Sequence, residues 1–337
     1  MHEARMAAAS PLSILPITAV ILTHNEGMHI ARAIASLDFV ERVVVVDSGS
    51  SDNTIDLARA AGADIYHHPF INHADQFQWA LENTGIVSEW TLRLDADEII
   101  EADLAARLRA ELPQLPKHIS GINFKRKHVF MGRWVRHGGR FPLVLLRLWR
   151  TGQGRIEARW MDEHMLVESG ETITIDGGFA DVNLNDSLFF TDKHNRYATR
   201  EALDVLLAKY GLAEVDEAMK QGQAAHDAST KRRIKERIYN RLPFGLGPLL
   251  YFLWRFIFQL GFLDGREGRI YHVLQGFWYR FLVDVRKLEF ERAMQGAVST
   301  DDRLARLSAA SGYSIEILSG SAVRSSRGPI ALQGLPE

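Results

Sequence analysis

The chain has 337 residues, 46% of them hydrophobic, enough for one sizeable core plus an appended region. Its 40 basic and 42 acidic side chains leave a net charge of -2, which gives no global attraction to nucleic acid, so an electrostatic partner must be met by a local patch. The absence of cysteine excludes disulfide frameworks, thiolate zinc sites and cysteine nucleophiles, and fits a reducing compartment.

Residues 1–15 read as a flexible N-terminus, in which Met1–Ser10 is polar and alanine-rich with no apolar stretch of the signal-peptide kind, so nothing suggests export. Ile17–Leu22 is a short β-rich run after Pro16, followed by a polar loop and a helix-like Met28–Leu37. Arg42–Val46 reads as a second buried strand, Thr54–Ala61 as a helix and Asp64–Tyr66 as a third strand. His73–Asn83 has helical spacing and Trp90–Leu94 reads as a fourth strand. Apolar strands that alternate with helices predict an α/β domain around a mostly parallel sheet. From Ile119 to Leu184 short β-like pieces broken by glycines predict a mixed sheet with long loops, and Asn195–Tyr210 reads as a helix with Leu203, Leu206 and Leu207 on one side. The expected division is a catalytic domain over 16–225, a basic and aromatic helical region over 226–295, and a loosely ordered Ser/Ala/Gly-rich tail over 296–337.

Open parallel sheets bind ligands beyond the carboxyl ends of their strands, where strand order reverses. The polar residues fall at those ends: Thr23-His24-Asn25-Glu26 after the first strand, Asp47-Ser48-Gly49-Ser50-Ser51-Asp52 after the second, and Asp95-Ala96-Asp97-Glu98 after the fourth. Acidic clusters on one sheet edge repel each other unless a positive charge joins them, and a divalent cation would do so. Asp95 and Asp97 form a D-x-D that suits Mg2+ or Mn2+, which would neutralise charge building on the phosphate oxygens of a nucleotide-sugar donor. The alternative use of these two residues is to cap a helix starting near Glu101.

Asp47 is placed to accept from a base or ribose, and Asp52 either contacts the donor or N-caps the next helix. Asn25 and Glu26 are either donor contacts or loop polars. His67, His68 and His73 have no ligand spacing and read as surface or packing histidines. No P-loop, dinucleotide-binding or H-E-x-x-H motif occurs. In Met161-Asp162-Glu163-His164, Asp162 or Glu163 is a candidate for the base that takes an acceptor hydroxyl's proton, and His164 for a metal or phosphate ligand; the alternative is an acidic turn on a solvated face.

These pieces, in this order, resemble family 2 glycosyltransferases of bacterial lipopolysaccharide-core and exopolysaccharide synthesis. The resemblance rests on Ile21–Glu26, Val46–Thr54, Gln76 before Ala80-Leu81, Trp90 and Leu94–Glu98, and spans about Ile17 to Leu104. It implies a GT-A fold, an inverting mechanism and a nucleotide-sugar donor, most often a UDP-sugar. By this likeness Asp47 meets the base or ribose, Asp95 the ribose or metal and Asp97 the metal, with Thr23, Asn25, Glu26, Ser48, Asp52 and Gln76 around the donor. The chain has Phe77-Gln78 where the family has Arg-Asn, and Asp162-Glu163-His164 where it usually shows Glu-Asp or Asp-Asp.

The C-terminal part resembles the same subgroup through Leu260–Gly265, Gly268 and Tyr271. The aromatic stretch Phe244–Leu263 contains Arg255 and Gln259 and follows a run, Lys231–Arg241, with six basic residues and one acidic residue. Two readings fit it: a helix lying in the membrane interface, or one packed on the catalytic domain. The expected partners are a nucleotide-sugar donor, a lipid-linked or polysaccharide-precursor acceptor and the inner face of the cell membrane, with no nucleic acid. A sugar nucleotidyltransferase and a non-catalytic scaffold of a glycan-assembly complex are the rival classes.

Overall fold

The computed structural model describes residues 13–156, 164–210, 242–313, 316–318 and 322–324. Two compact units emerge: one holds the chain up to 136 and 140–184, the other 137–139 and everything from 185 onward.

The first unit is built on one mixed sheet. Strands β1 (Leu15–Thr23), β2 (Val40–Asp47), β3 (Asp64–His67) and β4 (Trp90–Asp95) run parallel in the order β3-β2-β1-β4. The chain moves outward from β1 to β2 and β3, then crosses back to place β4 on the other side of β1. Strand order therefore reverses between β1 and β4. Beyond β4 the sheet continues through β8 (Leu143–Arg150), β6 (Ile119–Phe130), β12 (Phe179–Val182) and β5 (Glu98–Ile100), with antiparallel and parallel pairs mixed. The short β7 (Arg133–Val135) and β11 (Glu171–Thr174) also pair with β6, while β9 (Gly154–Ile156) and β10 (Met165–Val167) form a separate antiparallel pair.

The inner strands are apolar on both faces because helices cover both faces. Ile17, Ala19, Ile21 and Val45 face one buried cluster together with Ile30 and Ile34 of α1 (Ile30–Ala35), Ala58 of α2 (Thr54–Ala60) and Leu104 and Leu108 of α4 (Ala102–Glu111). Val20, Val44 and Val46 face the other, against Ala74, Phe77 and Ala80 of α3 (His73–Asn83). The Phe77 ring meets Trp149 edge-on with centroids 6.1 Å apart. Asn72 starts α3 by accepting the Asp75 N–H at 2.8 Å, which satisfies one of the open amides of the first turn.

The second unit is helical among the described residues. Helix α5 (Ser187–Lys209) is longer than the spacing predicted, because Asp186 caps it by accepting the Phe189 N–H at 2.9 Å; Leu203, Leu206 and Leu207 are buried as expected. It packs against α8 (Tyr279–Ala293), where Glu201 accepts from the Tyr279 hydroxyl at 2.5 Å and pairs with Arg280. The stretch Phe244–Leu263 is not one helix: α6 (Leu246–Leu253) runs into a π-helical turn at Trp254–Phe258 and then a 3-10 turn at Gly261–Leu263, after Leu260 takes φ 60. The basic run 231–241 lies outside the described residues. Helix α7 (Gly265–Tyr271) follows. Buried Asp264 accepts His137 Nδ1 at 2.7 Å, the His137 backbone N–H at 3.1 Å and His272 Nε2 at 2.9 Å, which fixes the Leu260–Gly265 segment. Gly138 is required here: its φ is +63, and a Cβ would stand 2.2 Å from His272 Cε1.

Part of the expected loose tail is ordered. Helix α9 (Thr300–Ser311) is capped by Ser299, which accepts the Asp302 N–H at 3.1 Å, and ends at Gly312 in the left-handed region, with Leu304 and Leu307 buried. Among the described residues no helix is long and apolar enough to cross a membrane.

Candidate active site

The register brings the three polar strand ends together: Thr23 pairs with Asp47 across β1 and β2, and Leu22 pairs with Asp95 across β1 and β4. Asp47, Thr23 and Asp95 therefore line the carboxyl edge at the reversal of strand order, where an open sheet leaves a crevice.

The first two ends form one interlocked pair of loops. Asp47 is buried, and its carboxylate accepts the Gly49 and Ser50 amides at 2.8 and 2.9 Å, the Ser50 hydroxyl at 2.5 Å and the Thr23 hydroxyl at 3.2 Å. Burial pushes its pKa up, but these hydrogen bonds outweigh it and hold the group below the ordinary carboxylate value. Ser48 donates from its backbone and hydroxyl to the Thr23 carbonyl at 3.1 and 3.2 Å. Asn25 sits at φ 56, a conformation asparagine tolerates better than most residues, and ties across to the other loop. Its N–H donates to Ser50 Oγ and its Oδ1 accepts the Ser51 N–H, both at 2.8 Å. Asp52 serves both neighbours: it accepts the Thr54 N–H at the start of α2 and the Gly27 N–H, each at 3.0 Å. Gln76 is buried and donates to the Val46 carbonyl at 3.4 Å, holding the end of β2.

The third end carries the strongest electrostatics. Neither Asp95 nor Asp97 caps a helix; strand β5 follows directly, and α4 begins later with Glu101 at its N-cap and no side-chain cap. Arg147 of β8 is buried and reaches both Asp95, at 3.1 Å, and Glu98, at 2.6 Å. Arg126 of β6 adds a contact to Glu98 at 3.2 Å, and Arg93 one to Asp95 at 3.4 Å. Burial pushes the Asp95 carboxyl up, but Arg147, Arg93 and Arg126 overcome that and hold it far below its ordinary range. For Glu98 burial prevails: with help from the Asp95 charge it drives the pKa up against the pull of Arg147 and Arg126. Arginines thus supply positive charge that joins these acids.

Asp97 is held by the end of β12. Its backbone carbonyl accepts the Val182 N–H at 2.9 Å, and Asn183 donates to its carboxylate at 3.0 Å. The same segment reaches the first loop, because the Leu184 N–H donates to Nε2 of buried His29 at 2.9 Å. With Nε2 accepting, the network assigns the ring proton to Nδ1, which donates to Glu26 at 2.6 Å. Arg32 adds a bond to the Val182 carbonyl at 2.6 Å. Glu26 and Asp97, on different loops, are thereby set by one strand end.

Sequence reasoning missed Arg126, Arg147, His29 and Asn183. Only His29, three residues after Glu26 at the start of a helix, carried a local signal. Asp162 and Glu163 lie outside the described residues. His164 is exposed and precedes β10. The β9–β10 pair that brackets this stretch is anchored by Ile156 and Met165 in the cluster around Phe77. His68 is a packing residue, stacked on Trp79 at 4.5 Å and bonded to Asp75 at 3.1 Å; His67 is exposed, 3.7 Å from Asp47. Among the described residues no group of three or more His, Asp or Glu is placed to hold a metal ion. Mg2+ and Mn2+ sites of the substrate-phosphate type use one or two protein carboxylates and complete their shell with phosphate oxygens and water. The hard donors at the end of β4 fit that mode.

Residues 18–178 match the model of the family glycosyl transferase family 2. The chain carries a family 2 glycosyltransferase domain, and its sheet with flanking helices is of the GT-A kind. Among characterised relatives, the chain is 26% identical over 299 residues to the lipopolysaccharide core biosynthesis glycosyltransferase LpsC of Rhizobium meliloti (strain 1021), covering 86% of this chain and 98% of LpsC. It is 39% identical over 89 residues to an uncharacterized glycosyltransferase of Rickettsia felis; that match takes in 26% of this chain and spans only 31% of the relative. Among solved structures, glucosyl-3-phosphoglycerate synthase from Mycobacterium tuberculosis in complex with Mn2+, uridine diphosphate and glucosyl-3-phosphoglycerate is similar at TM-score 0.41 and 18% identity, over 59% of this chain and 81% of that one.

Proposed function

We propose that the protein transfers one sugar from a nucleoside-diphosphate sugar, most simply a UDP-sugar, to a lipid-linked or lipopolysaccharide or exopolysaccharide precursor, with inversion, at the inner face of the cell membrane. The observation that carries this reading is the convergence of Asp47, Asp95 and Asp97 at adjacent strand ends on the switch point of the sheet. The near-full-length likeness to LpsC supports the choice of acceptor class.

Asp47 and the Thr23–Glu26 and Ser48–Asp52 loops would cradle the nucleoside, with Gln76 fixing the end of β2 beneath them. Asp97, with Asp95 beside it and His164 as a further candidate ligand, would hold Mg2+ or Mn2+. That ion would stabilise negative charge on the departing diphosphate. The acceptor hydroxyl oxygen attacks the anomeric carbon, its proton passes to Asp162 or Glu163, and the bond from that carbon to the diphosphate breaks. Arg147, Arg93 and Arg126 favour the ionised form of Asp95.

The test is a thermal-shift panel of nucleoside diphosphates and nucleotide sugars with Mn2+, Mg2+ or EDTA. A ligand at about 100 times its dissociation constant stabilises by about 2.7 kcal/mol, which is readily seen. The expected result is a metal-dependent shift with one UDP-sugar that disappears in Asp97→Asn, a change that leaves an acceptor for Asn183. Well-folded protein that shifts with none of these compounds overturns the transferase reading and leaves the scaffold class in front.

A further inference from the structure

Helix α6 and the turns after it are amphipathic in the opposite sense to a core helix. The inward side holds Gly247, Pro248 and a buried guanidinium, Arg255, whose Nε donates to the Gly138 carbonyl at 2.5 Å and whose NH1 donates to the Tyr251 hydroxyl at 2.9 Å. The outward side holds Leu246, Leu249, Leu250, Trp254, Ile257 and Phe258, all exposed. Their spacing of three and four residues places them along one face. Trp254 is 55% and Phe258 69% exposed, and their rings stack with centroids 5.3 Å apart. Phe262 and Leu263 extend this apolar surface into the 3-10 turn. A folded chain rarely leaves so large a contiguous apolar surface to water without a use for it.

We propose that this face is a docking surface for an anionic lipid bilayer, with the Trp254 and Phe258 rings entering the interface and Arg266 and Arg269 meeting lipid phosphates. Charge selects this occupant. The two arginines are exposed on α7 directly after the apolar turn, and Arg269 is steadied by its bond to the Phe262 carbonyl at 2.9 Å. Glu267 is the one acid between them. In the sequence, the six basic residues of Lys231–Arg241 end five residues before Leu246 begins α6. An apolar face bordered by cations fits acyl chains beneath anionic headgroups. A second copy of the same face would bring cations against cations. Helix α6 has eight residues, so it lies along the interface and does not span it. The surface deepens the proposed work on a lipid-linked acceptor, but its geometry does not depend on the transfer reaction.

The experiment is co-sedimentation of the full chain with vesicles of phosphatidylcholine alone and of phosphatidylcholine mixed with phosphatidylglycerol, at low and high salt. The expected result is binding to the anionic vesicles that weakens with salt. Trp254→Ser with Phe258→Ser should reduce it at least tenfold, and each of Arg266→Gln and Arg269→Gln by about fivefold. Melting temperature and donor-induced shift should be unchanged in all three variants, so failure of docking and failure of the donor site are read separately. A wild-type chain that ignores both vesicle types overturns the proposal, as does equal binding to neutral and anionic vesicles. Light scattering supplies the last arm: a concentration-dependent dimer abolished by the Trp254 and Phe258 changes would assign the face to a second copy instead.

Discussion

Arg147 is the residue on which the Asp95 end of the site depends. Its buried guanidinium meets Asp95 and Glu98 at once, so removing it takes the nearest cation from both and leaves Asp95 only Arg93 and Glu98 only Arg126. A buried charge left without its partner costs about 3–5 kcal/mol. With Arg93 and Arg126 still in place, Arg147→Met is expected to lose up to about 3 kcal/mol in urea unfolding, and adding Glu98→Gln should restore part of it by removing the buried carboxylate that lost its shorter bond. A loss below about 1 kcal/mol would show that Arg147 is not the counter-charge. Asp47 gives a different signature. Its folded pKa lies below the ordinary value of 3.8, so its contribution is fully present above that pH and is lost as pH falls through the lower folded value. The stability gap between wild type and Asp47→Asn should be widest near neutral pH and close on titration below about pH 4. A gap independent of pH would mean that the carboxylate's charge is not what the loop amides hold.

At the scale of elements, helix α3 shows which interactions set the magnitude. Its cap and its packing act on the same helix but differ in size. Asn72→Ala removes one hydrogen bond to the first turn and should cost about 1 kcal/mol. Phe77→Ala empties a fully buried position against Trp149 and should cost about 3–5 kcal/mol. Chemical denaturation of both variants checks the order, and a cap that matters more than the ring would contradict the packing described. The loops after β1 and β2 are likewise a single element in mechanical terms. Asn25, Asp47 and Asp52 each bind backbone amides of the loops, so a substitution at any of them changes loop shape as well as the contact proposed for the donor.

For the molecule as a whole, the reversal of strand order decides where ligands can meet the sheet. Donor and Mn2+ together should slow amide hydrogen exchange in the segments 23–26, 48–52 and 95–98, which lie far apart in sequence but along one edge. Protection confined to the helices of the second unit would place the binding site elsewhere. That unit carries its own devices: the Asp264 cluster with His137 and His272, the α5–α8 pair, and the outward apolar face of α6.

The order of elements and the three polar strand ends were readable from the sequence, because both are local properties. A strand buried on two faces must be a short apolar run, and its end must be marked by residues that turn, cap or bind. The helix His73–Asn83 was legible to the residue, since a capping Asn72 and spaced apolar positions define it without help from distant parts of the chain. The partners of the D-x-D were not legible. Arg126, Arg147 and Asn183 come from β6, β8 and the end of β12, in a region whose sequence shows only short pieces and glycines. They lie 28 positions from Glu98, 52 from Asp95 and 86 from Asp97, respectively. Nothing in the spacing of residues that far apart fixes which strand will lie beside which. The pairing of β8 with β4 and of β12 with β5 decided it, and with it which acids are met by arginine and which by Asn183.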